Sequence, residues 1–307
     1  MAHEIIGLEA ARIRQGDYIV RGTAADGQIR AFAITARQTV QTAHESHHTS
    51  PLVTAALGRL MMAGQMMGAM SKNDDELLTL IIRGDGPVGG LTVTANNKGQ
   101  VKGYANHPNV WIDLNQRGKL DVGGGIGAGT LTVIHDIPGF DPYSSEAELV
   151  SGEIGDDLTN FFVMSDQVPT SVGVGVLVDT DTSVRQAGGF IVQLMPGYDP
   201  AVVDQLEHNL QGLDSVTNLL ERGMTPTDIL AYVLRDLDYQ ELETLPAEFH
   251  CGCNDERASR AVLALGASEL TDMIEKDEPA ETYCAFCGKH YHFAPSELQE
   301  MLTKAQA

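Results

Sequence analysis

The sequence predicts an α+β fold, because its β-rich and helical segments do not alternate as the regular strand–helix–strand units of a parallel-sheet protein. Segments of both kinds mix in the first two thirds of the chain, a helical stretch follows, and all four cysteines lie in the last 57 residues. We therefore predict an N-terminal mixed sheet-and-helix core domain at 1–198, a helical linker at 199–237 and a small C-terminal domain at 238–307.

The composition is that of a chain that can bury a core. Of its 307 residues, 43% are hydrophobic and 20% are charged, close to the values of ordinary globular proteins. The 42 acidic residues outnumber the 20 basic ones, so the formal net charge is −22. Nucleic acids and anionic membrane surfaces repel such a chain, which argues against both as main partners.

The sequence carries no sign of export or membrane insertion. The first residues lack a basic region followed by an apolar stretch, and no run of 18 apolar residues occurs. We therefore expect a cytoplasmic protein without a transmembrane helix. In that reducing compartment, clustered cysteines are more often metal ligands or redox groups than permanent disulfides.

Short runs of β-branched and apolar residues predict the strands of the core domain. Asn96-Asn97-Lys98-Gly99 separates two of these runs and is typical of a hairpin turn. The predicted strands are Leu77–Arg83, Gly90–Asn96, Gln100–Ala105, Thr130–Ile137, Ser171–Val178 and Phe190–Leu194.

Two segments of the core domain predict helices. Ser50 is a suitable N-cap and Pro51 a suitable first helical residue. The residues from there to Met70 are mostly apolar or small, which is typical of a buried helix. Ile154–Gln167 predicts the second helix.

The linker predicts two helices, each with one apolar side. Asp199-Pro200 begins the first helix, Gly223 ends it, and Thr225-Pro226 begins the second. From Asp199 to the end, 21 acidic residues stand against 7 basic ones, so the outer sides of these helices are highly charged. The apolar residues of the first helix are Val203, Leu206, Leu210, Leu213, Val216 or Thr217, and Leu220; those of the second are Ile229, Leu230, Val233 and Leu237.

The C-terminal region is about 70 residues long, and a unit of that size commonly needs a metal or disulfides in addition to its core. Cys251-Gly252-Cys253 and Cys284-Ala285-Phe286-Cys287 supply four thiolates, a set that tetrahedral zinc favours. Each pair is also close enough to form its own disulfide. Two interpretations stay open: a permanent zinc site, or a switch that holds metal when reduced and forms two disulfides when oxidised. The flanking His250, His290 and His292 could replace a ligand.

Two further patterns could bind ligands. His44, His47 and His48 would share one helical face, which indicates either a polar helix end or a second metal site. The glycine-rich runs Gly84–Gly90 and Gly123–Gly129 lack the lysine and hydroxyl residue of a phosphate loop, so we predict turns or bulges there. No motif of an enzyme active site is present, and we expect a protein that is not an enzyme.

The C-terminal motifs resemble those of the heat shock protein 33 family. They are Phe249–Arg257 with its CxC pair, Ala264–Gly266, the CxxC pair at Cys284–Cys287, and Tyr291–Phe293. A CxC and a CxxC pair separated by 30 residues is highly specific for that family. The resemblance extends over nearly the whole chain, and the methionine-rich stretch Met61–Met70 departs from it. The core segments that resemble the family are His48–Arg59, Ile82–Gly90, Ser151–Val176 and Ala187–Gly197.

Members of that family are ATP-independent holdase chaperones. The resemblance implies a protein that binds unfolding clients under oxidative stress and prevents their aggregation. It implies that the reduced form is inactive and holds one zinc ion per chain. It also implies that oxidants pair Cys251 with Cys253 and Cys284 with Cys287, release zinc and loosen the linker, and that the active form is commonly a homodimer. The implied zinc ligands are Cys251, Cys253, Cys284 and Cys287.

The apolar side of the first linker helix is our candidate for the client-binding surface, and packing on the core is the alternative explanation of its pattern. The candidate residues are Val203, Leu206, Leu210 and Leu213.

Two other functions agree with the cysteine spacing. A zinc-ribbon protein would keep a purely structural metal site or bind nucleic acid, for which the charge is unfavourable. A CxxC thiol–disulfide oxidoreductase would turn over disulfides and would not need the second cysteine pair.

Overall fold

In the computed structural model, which describes residues 16–73 and 75–306, the chain divides into two units between His250 and Cys251. The first unit combines two large sheets with helices, and the second combines a two-stranded hairpin with three helices. The predicted α+β class is confirmed. Among the described residues, no helix is both long and apolar enough to cross a bilayer.

The first sheet has five strands in the order β10-β1-β2-β9-β8, and all neighbours are antiparallel. Its two edges are therefore β8 and β10. The strands are β1 Tyr18–Ala24, β2 Ile29–Thr35, β8 Thr170–Val178, β9 Val184–Leu194 and β10 Gln240–Pro246.

The second sheet has six strands in the order β11-β5-β4-β3-β6-β7. The short β11 pairs in parallel with β5, and the other neighbours are antiparallel. All six strands predicted from the sequence are present in the two sheets, and β9 begins earlier than predicted. The strands of this sheet are β3 Leu77–Gly84, β4 Leu91–Asn96, β5 Gln100–Ala105, β6 Gly129–Asp136, β7 Tyr143–Glu148 and β11 Glu248–Phe249.

The predicted buried helix is confirmed as α2, Pro51–Gly68, and it packs against both sheets. The Ser50 hydroxyl accepts a hydrogen bond from the Val53 N–H at 3.4 Å, as expected of an N-cap. Every residue of the helix except Pro51 and Arg59 is buried. The methionine-rich stretch therefore fills the core, where flexible thioethers adapt to two surfaces at once.

Three shorter helices complete the core region of the first unit. They are α1 Arg37–His47, α3 Val122–Ile126 and α4 Gly155–Phe161. The second predicted core helix, Ile154–Gln167, is α4 followed by a π-helical turn, Phe162–Asp166. Gln167 then leaves the helix in the left-handed conformation, with φ of 56°.

The two glycine-rich runs lie against each other. The Gly86 N–H donates to the Ile126 carbonyl at 2.9 Å, and a Cβ on Gly84 would lie 2.0 Å from that same oxygen. The prediction of turns is right for Gly84–Gly90 and wrong for Gly123–Ile126, which belongs to α3. The Asp121 carboxylate caps that helix by accepting from the Gly124 N–H at 3.1 Å, which supports helical geometry despite the glycines.

The linker forms three helices: α5 Pro200–Leu210, α6 Val216–Glu221 and α7 Pro226–Val233. They pack on the face of the first sheet that points away from α2. The prediction of one helix from Asp199 to Gly223 is wrong, because Gly212 takes a φ of 68° and Ser215 caps a new helix. The apolar residues keep their common side despite the break.

Residues 240–250 belong to the sheets of the first unit, whereas the sequence assigns them to the C-terminal domain. Strand β10 pairs with β1, and β11 pairs with β5. The His250 N–H still donates to the Val101 carbonyl at 2.8 Å. The boundary between the two compact units therefore lies immediately after His250, before Cys251.

The second unit consists of α8 Asp255–Leu263, α9 Ala267–Glu275, α10 Pro295–Gln306 and the antiparallel hairpin of β12 Ala280–Tyr283 and β13 His290–Phe293. Its buried apolar set is small, and cysteines lie among the residues that pack against it. The buried members are Ala258, Val262, Leu270, Ala280, Tyr291, Phe293 and Leu298.

Gly99 joins α2, the β4–β5 hairpin and the chain that enters β11, and its replacement should destabilise the first unit. Its φ is 75°, and a Cβ would lie 1.9 Å from the Pro246 carbonyl oxygen. Its own carbonyl accepts from the Gln65 side chain at 2.7 Å and from the Glu248 N–H at 3.1 Å. We expect Gly99→Ala to lower the free energy of unfolding by at least about 2 kcal/mol, measured by urea denaturation and circular dichroism.

The control is Gly27→Ala, because Gly27 has a φ of 86° but nothing lies within 4 Å of the position that its Cβ would take. The free energy of unfolding of Gly27→Ala should fall by only about 1 kcal/mol, because the substitution adds backbone strain but no steric clash. Equal losses of unfolding free energy in the two variants would show that the close approach of Pro246 to Gly99 does not add to the destabilisation.

Candidate metal centre

The CxC pair lies in a loop that leads directly into helix α8. Asn254 follows Cys253 and caps the helix, because its side-chain oxygen accepts from the Arg257 N–H at 2.9 Å. Gly252 separates the two cysteines without a side chain of its own. The cap thus fixes the end of the loop that carries both sulfurs.

The CxxC pair lies in the turn between β12 and β13. The Cys284 N–H donates to the Lys289 carbonyl at 2.9 Å, and the Gly288 N–H donates to the Cys284 carbonyl at 2.8 Å. Gly288 has a φ of 68°, which lets the chain reverse there. The turn is therefore held by its own backbone, and both sulfurs project from one short segment.

The two loops bring all four sulfurs together. The Sγ atoms of Cys251 and Cys284 are 3.7 Å apart, and those of Cys253 and Cys287 are 3.4 Å apart. All four lie within 4.8 Å of one another, and no two are bonded. A tetrahedral ion with metal–sulfur bonds of about 2.3 Å would separate its ligands by about 3.8 Å. The cluster therefore has the size of a four-cysteine metal site, and it could hold a metal ion.

The thiols of Cys251, Cys253 and Cys287 differ in acidity. Partial burial opposes the ionisation of Cys253, but favourable interactions with Tyr291 and the other cysteines lower its pKa to about 7. Burial raises the pKa of Cys251. Burial, together with the neighbouring cysteines, raises the pKa of Cys287 to about 12. Four thiols at this spacing need a cation before all of them can ionise, and four soft thiolate ligands are compatible with zinc.

Tyr291 is the residue that sequence reasoning left without a role at this site. It is buried on β13, and its interaction with Cys253 raises the pKa of its own hydroxyl. Partners that hold metal ligands in place are a recurrent part of such centres. The only sequence signal for Tyr291 is its place in the Tyr291-His292-Phe293 motif.

The flanking histidines lie outside the sulfur cluster. The rings of His290 and His292 stack at 6.4 Å, and His292 Nδ1 is 3.1 Å from a carboxylate oxygen of Glu281. The backbone of His250 pairs with the second sheet. Among the described residues, the cluster that could hold a metal consists of the four cysteines alone.

The earlier histidine group forms a polar helix end. His44 Nδ1 lies 3.2 Å from the hydroxyls of both Thr49 and Thr54, and His47 Nε2 lies 3.0 Å from the Gly103 carbonyl oxygen. His48 ends α1 in the left-handed conformation. Within the part of the chain that the structure describes, these side chains form no metal-binding group.

The candidate client-binding residues pack on the first sheet. Leu206 is buried, and Val203, Leu210 and Leu213 are half-buried against the same apolar cluster. In this arrangement the side chains serve as core, as the alternative explanation expects. Client binding by these residues stays a prediction.

Comparisons with known proteins agree along the chain. The family model described as Hsp33 protein matches residues 17–294. The 33 kDa chaperonin of Agathobacter rectalis is 52% identical over 285 residues, which cover 93% of this chain and 99% of that protein. The 33 kDa chaperonin of Bacillus pumilus is 48% identical over 286 residues, 93% of this chain and 98% of that protein.

A solved structure is also similar. The crystal structure of the 33 kDa chaperonin (heat shock protein 33 homolog) of Thermotoga maritima matches with a TM-score of 0.87 and 34% sequence identity. The match covers 94% of this chain and 99% of that chain, so it includes both units.

Removal of one sulfur should weaken metal binding strongly. If the four thiolates share a zinc-binding free energy of roughly 10–16 kcal/mol about equally, Cys284→Ser should lower zinc affinity at least about 100-fold. We expect one equivalent of Zn²⁺ per wild-type chain in calorimetric titration of the metal-free, reduced protein. Ala285→Ser is the matched control, because it adds a hydroxyl at an exposed position of the same turn and removes no sulfur. Unchanged affinity in Cys284→Ser would contradict the four-sulfur site.

Proposed function

The chain belongs to the Hsp33 protein family, and we propose that it is a redox-regulated holdase, a chaperone that binds unfolding proteins without ATP once oxidants have converted its cysteines to disulfides. The names of the relatives support the chaperone role. The observation that carries the redox part is the cluster of four sulfurs in a unit with a small apolar core.

In the reduced form, Cys251, Cys253, Cys284 and Cys287 would hold one zinc ion. The donor set fits, since four thiolates at tetrahedral spacing are a common structural zinc shell. When bound, zinc supplies a cross-link between the two loops and the positive charge that keeps four adjacent thiolates ionised.

Oxidation would convert the two cysteine pairs to disulfides. Each pair of thiolates loses two electrons as one sulfur–sulfur bond forms. One hydrogen peroxide molecule accepts these electrons and, with two protons, becomes two waters. We assign the bonds to Cys251–Cys253 and Cys284–Cys287, so two peroxide molecules oxidise one chain and the zinc ligands are lost.

These bonds would separate the two loops. The sulfur distances of 3.7 and 3.4 Å join the CxC loop to the CxxC loop. A bond of about 2.05 Å within each pair turns the sulfurs away from these cross-loop partners. After oxidation, nothing at the former metal site would tie the segment before α8 to the hairpin.

The second unit should then unfold. Structural zinc contributes roughly 10–16 kcal/mol to the folding of comparable modules. Among the described residues of this unit, seven buried apolar side chains remain to hold it together. A unit of this size rarely folds on such a core alone.

The loss of order would continue into the linker helices α5–α7, which are short and depend on tertiary packing. Their release would uncover two apolar surfaces, the linker side at Val203, Leu206, Leu210 and Leu213 and the sheet face beneath it. Unfolding clients expose apolar segments that can bind there. We propose a homodimer as the active form.

The charge of the chain suits this role. A net charge of −22 keeps the protein soluble while apolar surface is exposed, and it disfavours nucleic acid as a partner. We propose a cytoplasmic location, where thiols are reduced until oxidative stress occurs.

The switch is tested by light scattering of a thermally unfolding client. Protein treated with peroxide at mild heat should suppress aggregation at near-stoichiometric amounts, and reduced, zinc-loaded protein should not. Zinc release and the thiol count, followed in the same samples, should change together. Equal suppression by the two forms would contradict redox regulation, and catalytic disulfide turnover with glutathione would favour an oxidoreductase.

The client surface is tested in the oxidised form with the double variant Val203→Ser, Leu210→Ser. We expect client affinity to fall by a factor of about 5–30, equivalent to about 1–2 kcal/mol of lost apolar contact. The control is the double variant Asp204→Ser, Glu207→Ser, which changes exposed residues of the same helix. Zinc stoichiometry should be unchanged in both variants. Equal client affinity in both variants would place the binding surface elsewhere.

A further inference from the structure

A polar cavity of about 220 Å³ lies in the first unit near the end of α2, apart from the cysteines and the linker helices. Arg30 of β2 and Gln193 of β9 reach it from the first sheet. Glu76, just before β3, and His135 of β6 reach it from the second sheet. Asp166, at the end of the π-helical turn, completes the polar lining. Residues from distant parts of the sequence thus meet around one small space.

One side of the cavity is rigid. The buried Glu76 carboxylate accepts hydrogen bonds from the Ser71 hydroxyl and, at 3.0 Å, from the Asn73 amide. Its other oxygen lies 2.8 Å from His135 Nδ1. The His135 ring stacks on Tyr143 with 4.8 Å between the ring centres. Glu76 therefore has its partners, and His135 is held from two directions.

The other side carries two opposite charges that do not touch. The Arg30 guanidinium donates from Nε at 3.1 Å and from Nη2 at 2.6 Å to the Gln193 amide oxygen, which is uncharged. Neither Arg30 nor Asp166 forms an ion pair with any residue that the structure describes, although they attract each other at longer range. Burial lowers the pKa of Arg30 and raises the pKa of Asp166, although a hydrogen bond with Ser165 opposes the shift of Asp166, whose side chain lies at the exposed rim of the cavity.

Apart from Ser71, the remainder of the wall is apolar or glycine, and it includes Met67, Leu78 and Phe162. A ligand that fits this cavity needs a negative group for Arg30, a positive group for Asp166, and an apolar part for the wall. Sites with a few convergent polar groups on an apolar lining are typical of small-molecule binding. The π-helical turn that presents Asp166 is a further feature common at functional sites.

We propose that this cavity binds a free α-amino acid with an unbranched apolar side chain. The carboxylate of the ligand pairs with Arg30, its ammonium pairs with Asp166, and its side chain packs against Met67, Leu78 and Phe162. Arg30 and Asp166 then each gain an oppositely charged contact partner, and charge-assisted hydrogen bonds of this kind are stronger than those that either side chain makes to an uncharged group. The site is independent of the cysteines, so binding takes place in the reduced protein.

The test is calorimetric titration of the reduced full-length protein with L-norleucine. Hexanoate and pentylamine are the matched controls, because hexanoate lacks only the ammonium group and pentylamine lacks only the carboxylate. We expect one norleucine per chain and binding of either control at least about tenfold weaker. No binding of norleucine, or equal binding of a control, overturns the proposal without recourse to any variant.

The variants Asp166→Asn and Arg30→Gln should each weaken norleucine binding at least about tenfold. Asp113→Asn makes the same change of charge at an exposed loop position and should bind as the wild type does. Circular dichroism and thermal melting establish that each variant is folded. Wild-type affinity in a folded Asp166→Asn variant also overturns the proposal.

Discussion

The four sulfur atoms of the second unit lie within 4.8 Å of one another, and the function proposed above depends on that closeness. Two loops that are distant in sequence meet at this cluster, beside the seven buried apolar side chains found among the described residues of the unit. In a unit of this size, a metal can supply the folding free energy that a larger core would otherwise provide. In the proposed switch, the same dependence would make the unit sensitive to oxidants, because a thiolate that is oxidised is no longer a ligand. The stability of the second unit and its proposed response to oxidants would thus both come from the four thiolates.

The first unit rests on a different principle. Helix α2 is buried between two sheets, and the contacts along its length do not involve any cysteine. The first sheet is apolar on both faces, with α2 on one side and the linker helices on the other. Small residues such as Ala31 and Ala33 line the linker side, where they let the helices approach closely. This is the sheet face that the linker helices would uncover if they were released as proposed. The opposite face would stay packed against α2.

Local signals made the main features predictable. Ser50 and Pro51 mark the start of α2, and the cysteine spacing marks the sulfur cluster. The acidic segment Gln240–Pro246 has no strand pattern of its own and becomes β10 only through pairing with β1. The linker break at Gly212 depends on backbone conformation, which an apolar stripe does not reveal. The sulfur distances of 3.4 and 3.7 Å each join a cysteine of the CxC pair to a cysteine of the CxxC pair. The spacing in the sequence does not reveal this, because it depends on how the two loops meet in space.

Strand β10 also protects the first sheet against edge-to-edge aggregation with other copies of the chain. It covers β1, whose residues Tyr18–Ala24 would otherwise form the edge of the first sheet. An uncovered strand with unpaired backbone groups is a template for edge-to-edge aggregation, and charged residues on an edge oppose it. β10 carries two charged residues, Glu241 and Glu243, whereas the only charged residue of β1 is Arg21. A protease cut or truncation near residue 237 would thus leave a shorter chain with an adhesive edge, whereas one after His250 would keep the acidic strand in place.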